Sequence, residues 1–426
     1  MAKQVPIGII GGLRIPFCRV NTGYAEVGNL GMSIKVLGAM VERYGLQGVE
    51  LGDVVFGSVM KHARDWNLAR EAALASGLAQ TTPGYTVARA CGTSLDAAIT
   101  ARDRIAAGEY QAAFAGGSDS TSDIPLSLSP ALQKRVLRMN RARTPMGKLK
   151  AAVSGFSFAE LKPAFPGVAE PRTGKSMGEH CELMAREWDI SREAQDAFAL
   201  ASHQKAAAAY ERGFYDDLLV PFRGVERDNV LRADTSLEKL ASLKPAFDRH
   251  SGHGTLTAGN SSALSDGAAA VLVASESWAE ERKLEVEARL THARVAAVDF
   301  VHGEGLLMAP TVAVSRMLDE AGLSLQDFDF YEIHEAFAAQ VLCTLKAWES
   351  DTYCKERLGR KKAMGSIDPE KLNVNGSSLA IGHPFAATGA RILAQATKTL
   401  KDNGGGRALI SICTAGDMGV TAILER

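Results

Sequence analysis

Two periods of apolar residues alternate along this chain. Short apolar runs end in or beside glycine-containing loops, as in DVVFG from Asp53, AAAVLVA from Ala268 and ALISIC from Ala408. Between them, apolar residues recur every three or four positions, the period of a helix with one buried face. The stretch YTVARACGTSLDAAITA, from Tyr85, contains both patterns. YTVARA reads as a short strand, while Leu95, Ala98, Ile99, Arg102 and Ile105 keep helical spacing up to a stop at Gly108. Strands alternating with helices mark an α/β fold.

A weak internal repeat runs through this pattern. MVERYGLQGVELGDVVFG, from Met40, resembles MLDEAGLSLQDFDFYEIH, from Met317; each is a helix end, a Gly-Leu turn and a strand. RACGTSLDAAITARDRIAAGEYQAAFAGGSDS likewise resembles IGHPFAATGARILAQATKTLKDNGGGRALISICTAGDMG. Each of these is a loop, a helix, a turn and a strand ending in a glycine-containing loop. The spacing implies two related α/β halves with an insertion from Ser122 to Arg249. Pro125, Pro130, Pro145, Pro163, Pro166 and Pro171 break up its first part, and the run from Ser176 to Gly213 is helical. After it, GTLTAGNSSALSDGAAAVLVASE crowds small residues into a turn before a buried strand. Such crowding lets backbone approach a ligand closely; tight strand packing would use the same residues.

Composition narrows the classes of function. The 426 residues suffice for two or three domains around a large core. A formal charge of −1 offers no electrostatic case for nucleic acid. No apolar run reaches the roughly 20 residues of a membrane span. MAKQVPIGIIGG enters a strand pattern without the apolar core of a signal peptide. A soluble cytoplasmic protein is expected. The segment Gln133–Lys150 carries seven cations and no acid. It reads as a solvated face or loop, a phosphate-contacting or membrane-surface patch, or a docking site for another subunit. None of the six cysteines forms a C-x-x-C pair, so neither a zinc site nor a disulfide framework is expected. Cys18, Cys181, Cys343 and Cys354 read as small buried apolar residues.

Cys91 sits where the strand turns into the helix. A helix N-terminus favours negative charge, so this elbow is expected to hold the sulfur as a nucleophilic thiolate. Gly92 beside it would let a substrate carbonyl come near the backbone. An activated cysteine needs a base. His383, between Gly382 and Pro384 at the matching elbow of the second half, is the candidate, with Pro384 suited to a first helical turn. Cys413 ends the last apolar strand among small residues and can carry a proton. YEIHEAFAAQ ends a strand with His334 and Glu335. His334 is a candidate donor near the same centre, and Glu335 reads as a first-turn acid. Each of these residues also has a purely structural reading.

Cys91, IHEAF, IGHP and ICTAG occur in this order, with TAGNSSALSDGAAA among them. On these motifs the sequence resembles the thiolase family along nearly its whole length. The resemblance implies a five-layered αβαβα fold of two similar halves, residues 1–121 plus 250–285 and residues 286–426. A loop domain that binds coenzyme A (CoA), residues 122–249, is inserted in the first half. It implies Cys91 as the residue that carries the acyl group, His383 as the group that takes its proton, and Cys413 as a second acid/base. The backbone N–H groups of Cys91 and Ala415 would form an oxyanion hole, and Ser262 and Met177 would contact the pantetheine arm. HEAF is similar to the trifunctional-enzyme β-subunit branch, in which His334 stands where many thiolases have Asn. His334 would then bond the substrate oxygen directly or through water. Asp417 replaces a glycine of the usual motif, and an ionised carboxylate there would disfavour a Cys413 thiolate. GGSDSTSDIP is a loose version of the usual loop after the third strand, so the acyl pocket is expected to differ.

The implied activity is interconversion of 3-ketoacyl-CoA plus CoA with acetyl-CoA plus a shortened acyl-CoA, in fatty-acid β-oxidation. CoA is then a substrate, with no metal or other cofactor. Two alternatives stand beside it: a biosynthetic acetoacetyl-CoA thiolase, and a thiolase-like lipid carrier or non-catalytic partner subunit. The expected assembly is a homodimer or homotetramer, with a hydratase/dehydrogenase α-subunit as a possible further partner.

Overall fold

The computed structural model describes residues 7–303 and 305–426. The first six residues of the N-terminal stretch read as a strand entry lie outside the described residues. The strands are β1 (Ile7–Arg14), β2 (Cys18–Arg19), β3 (Asp53–Gly57), β4 (Gly84–Val87), β5 (Ala112–Asp119), β6 (Ser265–Ala274), β7 (Ala288–Ala297), β8 (Phe330–Ile333), β9 (Arg407–Thr414) and β10 (Met418–Glu425). They follow the order β4-β3-β5-β6-β1-β7-β10-β9-β8, with β2 paired to β6. β5 pairs parallel to β3 and antiparallel to β6, while β9 pairs parallel to β8 and antiparallel to β10. The second half thus repeats the first, and the two meet where Ile7 pairs with Leu290 across β1 and β7.

The repeat read from the sequence is built into these elements. The helices Asn29–Arg43 and Ala309–Ala321 each run out through a glycine toward the next strand, β3 and β8. Gly45 and Gly322 have φ of 62° and 68°, a backbone conformation that favours glycine. The helices Thr93–Ala106 and Thr388–Asp402 lead into β5 and β9. In the second half β9 returns as β10 after residues 415–417 alone. In the first half the same connection, β5 to β6, spans residues 120–264 and adds no strand to the sheet among the described residues.

Alternation along the strands sorts side chains into layers. Val55, Ala113, Ala115, Val271, Ile410 and Ile412 pack inward with Leu95, Ile99, Leu393 and Leu400 of the two central helices. Val54, Phe56, Phe114 and Leu272 pack outward against Met32, Val36, Met40 and Ala72. Leu409 and Ile423 pack on the other outer face with Val314, Met317 and Trp348. The result is helix, sheet, helix, sheet, helix. Each fully buried Leu, Ile or Val contributes roughly 1.5–3 kcal/mol. The central helices touch at their N-terminal ends, where the Ala390 N–H donates to Ser94 Oγ at 2.7 Å. A Cβ on Gly389 would lie 2.4 Å from the Leu95 nitrogen, so only glycine allows this approach.

Residues 120–264 are pinned to β1 by a buried ion pair. Arg14 Nη1 and Nη2 donate to the two oxygens of Asp228 at 2.6 and 2.7 Å, and Tyr210 Oη donates to the second at 2.6 Å. The run Ser176–Gly213 forms the helices Met177–Glu187 and Arg192–Glu211, the first with a Ser176–Glu179 capping box. The basic segment forms two short helices, Pro130–Arg141 and Pro145–Val153. Arg135 is not one of its free cations. It is buried, with its guanidinium bound to Glu160 and to the carbonyls of Ala152, Ser154 and Gly155. Met146, Leu149, Val153, Phe158, Phe165 and Val168 are exposed on this hairpin and the segment after it. No helix among the described residues is long and apolar enough to cross a membrane.

Candidate active site

The turn from β4 to the helix Thr93–Ala106 is tightly cross-braced. Ala90 has φ of 44°, Gly92 N–H donates to the Arg89 carbonyl at 3.0 Å, and Thr93 Oγ1 donates to the Ala90 carbonyl at 2.6 Å. A Cβ on Gly92 would meet Val420 Cγ2 at 2.6 Å and Thr414 Cγ2 at 2.9 Å. Gly92 therefore lets β9 and β10 of the second half close onto the elbow of the first, and Cys91 lies at that seam.

The seam sets the chemistry of the sulfur. Cys91 is partly accessible, whereas the other five cysteines are buried. Burial of its sulfur nevertheless pushes the thiol up to about 12, against the N–H groups of Ala415 and Cys91 itself, which both favour the thiolate; the charge of Asp119 adds to the rise. The direction runs against the expected resting thiolate. Loss of water around the sulfur outweighs the helix N-terminus.

His383 is the partner. Its Nε2 lies 3.1 Å from Cys91 Sγ and its Nδ1 lies 2.6 Å from Thr388 Oγ1. Burial, aided by the Arg391 charge, lowers it to about 3, so the imidazole is neutral. Gly382 has φ of 108°, and a Cβ there would crowd Ser265 Oγ, which also accepts the His383 N–H at 3.2 Å. Pro384 does not open the α-helix as its type suggests. A 3-10 turn, Phe385–Ala387, intervenes before the helix at Thr388. Asp119, at the end of β5, accepts from the N–H groups of Met60 and Ala386 at 2.6 and 2.8 Å and so holds this turn.

His334 packs its ring 4.3 Å, centroid to centroid, from that of His383. Its N–H donates to the Ser411 carbonyl, its Nδ1 lies 2.9 Å from Ser378 Oγ, and its Nε2 is buried with no partner among the described residues. Burial, then the charges of His383 and Arg391, keep it neutral. Glu335 is not a first-turn acid, because the helix begins only at Ala338. Its buried carboxylate accepts from Ser202 Oγ, Asn373 Nδ2 and the Leu379 N–H at 2.7, 2.8 and 3.1 Å. It ties three segments together behind the site.

Cys413 ends β9 in an apolar cluster with Met184, Leu256, Ala336 and Phe337. Burial raises its thiol well above the ordinary range, and electrostatic coupling to Cys91 and the Asp417 charge add to the rise. Asp417 has φ of 48°, and its Oδ1 accepts from the N–H groups of Leu307 and Ala309 at 3.0 and 3.1 Å. The unusual acid thus caps the start of the outer helix Ala309–Ala321. Gly416 donates its N–H to Glu170 Oε1 at 2.8 Å, a contact between the residue 120–264 segment and the turn after Cys413.

The structure therefore brings Cys91, His383, His334 and the Ala415 N–H together, with Cys413 near enough for its pKa to feel Cys91. Ser262 donates its N–H to the Ala336 carbonyl, and Met177 packs on the Cys413 cluster; both are partly exposed. Ligand atoms of Cys91, His334 and His383 lie within 4.8 Å of one another, a spacing a soft metal ion could share. Thr388, Ser378, Arg391, Asp119 and Glu170 were not singled out from the sequence. Only Thr388, at the start of the helix just after the Gly-His-Pro turn, carried a signal that could have found it.

Residues 7–277 match the family model for the thiolase N-terminal domain, and residues 284–426 that for the C-terminal domain. The chain is 41% identical over 439 aligned positions to a 3-ketoacyl-CoA thiolase of Yersinia enterocolitica and 42% identical to one of Yersinia pestis, covering 100% of both chains each time. The crystal structure of the Bacillus anthracis acetyl-CoA acetyltransferase matches with a TM-score of 0.81 at 31% identity, again over 100% of both chains.

Proposed function

The chain belongs to the thiolase family, and on that premise we propose that it interconverts a 3-ketoacyl-CoA plus CoA with acetyl-CoA plus a shortened acyl-CoA. The observation that carries the reading is the 3.1 Å contact between His383 Nε2 and Cys91 Sγ, with the Ala415 N–H directed at the same sulfur.

In the degradative direction Cys91 attacks the 3-keto carbon while His383 takes its proton. The developing oxyanion is held by the Cys91 and Ala415 N–H groups. The bond between C2 and C3 then breaks, and the electrons pass to the thioester oxygen of the departing acetyl-CoA, which faces His334. Cys413 protonates that fragment, then deprotonates the CoA that releases the shortened acyl group from Cys91. Splitting the step through a thioester replaces one hard carbon–carbon cleavage by two easier transfers. Each preorganised donor on a developing oxyanion is worth roughly 3–4 kcal/mol. CoA enters as substrate, and the reading assigns no resident cofactor. Residues 122–249 supply the CoA-binding domain beside Met177, with Ser262 on the pantetheine arm.

Fatty-acid β-oxidation is the setting we assign, in the cytoplasm, because the 3-ketoacyl-CoA thiolases are more similar in sequence than the acetyltransferase. The biosynthetic acetoacetyl-CoA reading keeps one support, the close fold match to that acetyltransferase. We assign a homo-oligomer, and a hydratase/dehydrogenase subunit docked on the exposed apolar and basic hairpin between Leu126 and Val168.

The test is incubation with acetyl-CoA followed by mass spectrometry. An acetyl group on Cys91 is expected; folded protein with an unlabelled Cys91 would instead fit the carrier reading. Thiolysis rates across acetoacetyl-CoA and longer 3-ketoacyl-CoAs separate the two enzyme readings.

A further inference from the structure

We propose that Ser378 and Arg391 are positioning residues that fix His334 with its hydrogen on Nε2, so that His334 donates directly to the substrate oxygen. The adjacent His383 is held in the opposite tautomer as an acceptor. This rests on the proposed thiolase reading and adds what it leaves open, namely how two neighbouring imidazoles acquire different roles.

The argument follows the hydrogens. Arg391 Nη2 lies 2.7 Å from Ser378 Oγ, and a guanidinium only donates. One lone pair of Ser378 Oγ is therefore occupied. Its own hydrogen needs an acceptor, and the acceptor the structure offers is His334 Nδ1 at 2.9 Å. An imidazole nitrogen that accepts is unprotonated, so in a neutral ring the hydrogen sits on Nε2. That Nε2 is buried without a partner among the described residues, and a ring nitrogen of His334 lies within 4.8 Å of Cys91 Sγ and of a His383 nitrogen. A buried N–H facing a reactive centre is a donor awaiting an acceptor.

At His383 the same logic gives the reverse result. Its Nδ1 also meets a hydroxyl, Thr388 Oγ1 at 2.6 Å, but no guanidinium or ammonium among the described residues donates to that oxygen. The Cys91 thiol offers its hydrogen to Nε2 at 3.1 Å, so Nε2 accepts, the ring hydrogen stays on Nδ1, and Thr388 Oγ1 accepts it. At His334 an arginine-oriented hydroxyl sets the tautomer; at His383 the thiol sets it. Arg391 donates to Ser377 Oγ at 3.1 Å; burial lowers its pKa, and the charges of Glu332 and Glu335 oppose that shift.

Three measurements test this. In wild-type enzyme with 15N-labelled histidine, the ring nitrogens of His334 should show Nε2 protonated and those of His383 should show Nδ1 protonated. Ser378→Ala should lower kcat for thiolysis about 10- to 100-fold, the usual effect of removing a partner that orients a reacting group, with KM nearly unchanged. Its acetylation and alkylation at Cys91 should stay close to wild type. Ser378→Thr should restore most of kcat, since it returns the hydroxyl. A wild-type spectrum with His334 protonated on Nδ1, or a Ser378→Ala enzyme with full kcat, overturns the proposal. A wild-type Cys91 that acetyl-CoA does not label overturns the thiolase reading instead, and the nitrogen spectrum still decides the tautomers even if Ser378→Ala does not fold.

Discussion

His383 Nε2 and Cys91 Sγ lie 3.1 Å apart, and burial keeps both groups uncharged. A thiol raised to about 12 beside an imidazole lowered to about 3 does not rest as an ion pair. On the proposed reading the proton moves only as the sulfur attacks, when charge passes on to the substrate oxygen, and the nucleophile stays latent until a thioester or ketone is bound.

Alkylation of Cys91 by iodoacetamide should report this directly. Because the thiol is raised, the thiolate fraction keeps growing with pH throughout the accessible range. The rate is expected to climb steadily from pH 6 to 9 with no plateau. A plateau starting near neutrality would show an ion pair in the resting site and contradict the burial argument.

Cys413→Ala should separate the two half-reactions. The substitution leaves the sulfur of Cys91 and its base in place, so acetyl-CoA still labels Cys91. Thiolysis, which needs a proton at the fragment leaving and at the CoA arriving, should fall about 10²- to 10⁴-fold. Full turnover in this variant would remove Cys413 from the reaction.

Asp417 carries two separable effects. Asp417→Asn keeps an oxygen for the Leu307 and Ala309 N–H groups but removes a negative charge that raises the Cys413 thiol. Asparagine caps about as well as aspartate, so stability should fall less than in Asp417→Ala, while the basic limb of the kcat–pH profile moves to lower pH. Asp417→Ala also removes the helix cap and should cost about 1 kcal/mol in urea unfolding. An unshifted profile in Asp417→Asn would show that the carboxylate is irrelevant to Cys413.

Gly92→Ala tests the seam. The added methyl would press on Val420 and Thr414, both fully buried, and overpacking of this kind costs about 1–3 kcal/mol. The urea midpoint should drop and Cys91 should lose activity together. An alanine variant with wild-type stability and rate would mean that the two halves do not close as described.

The two-half architecture was legible because it is written in local terms. Gly45 and Gly322 mark the same left-handed turn in each half, and Tyr85–Gly108 shows its strand, elbow and helix without reference to the rest of the chain. The four candidate side chains stood out for the same reason, since each sits at a strand end or turn. Their electrostatic state did not. The shift at Cys91 depends on how tightly β9 and β10 cover it, and sequence spacing carries no record of desolvation. Glu335 looked like a helix acid because its partners, Ser202, Asn373 and Leu379, come from distant segments. Arg135 looked like a surface cation, but Glu160 and four backbone carbonyls surround it.

The placement of the reactive groups has a consequence for synthesis of the chain. Cys91 and His383 are 292 residues apart in sequence, and Ala415, whose N–H points at the sulfur, comes later still. A nascent chain leaving the ribosome therefore carries its thiol long before any base or oxyanion donor exists to awaken it. On the proposed reading, acyl thioesters would meet an inert cysteine during translation, and reactivity would begin only once β9 has been made and docked against the elbow.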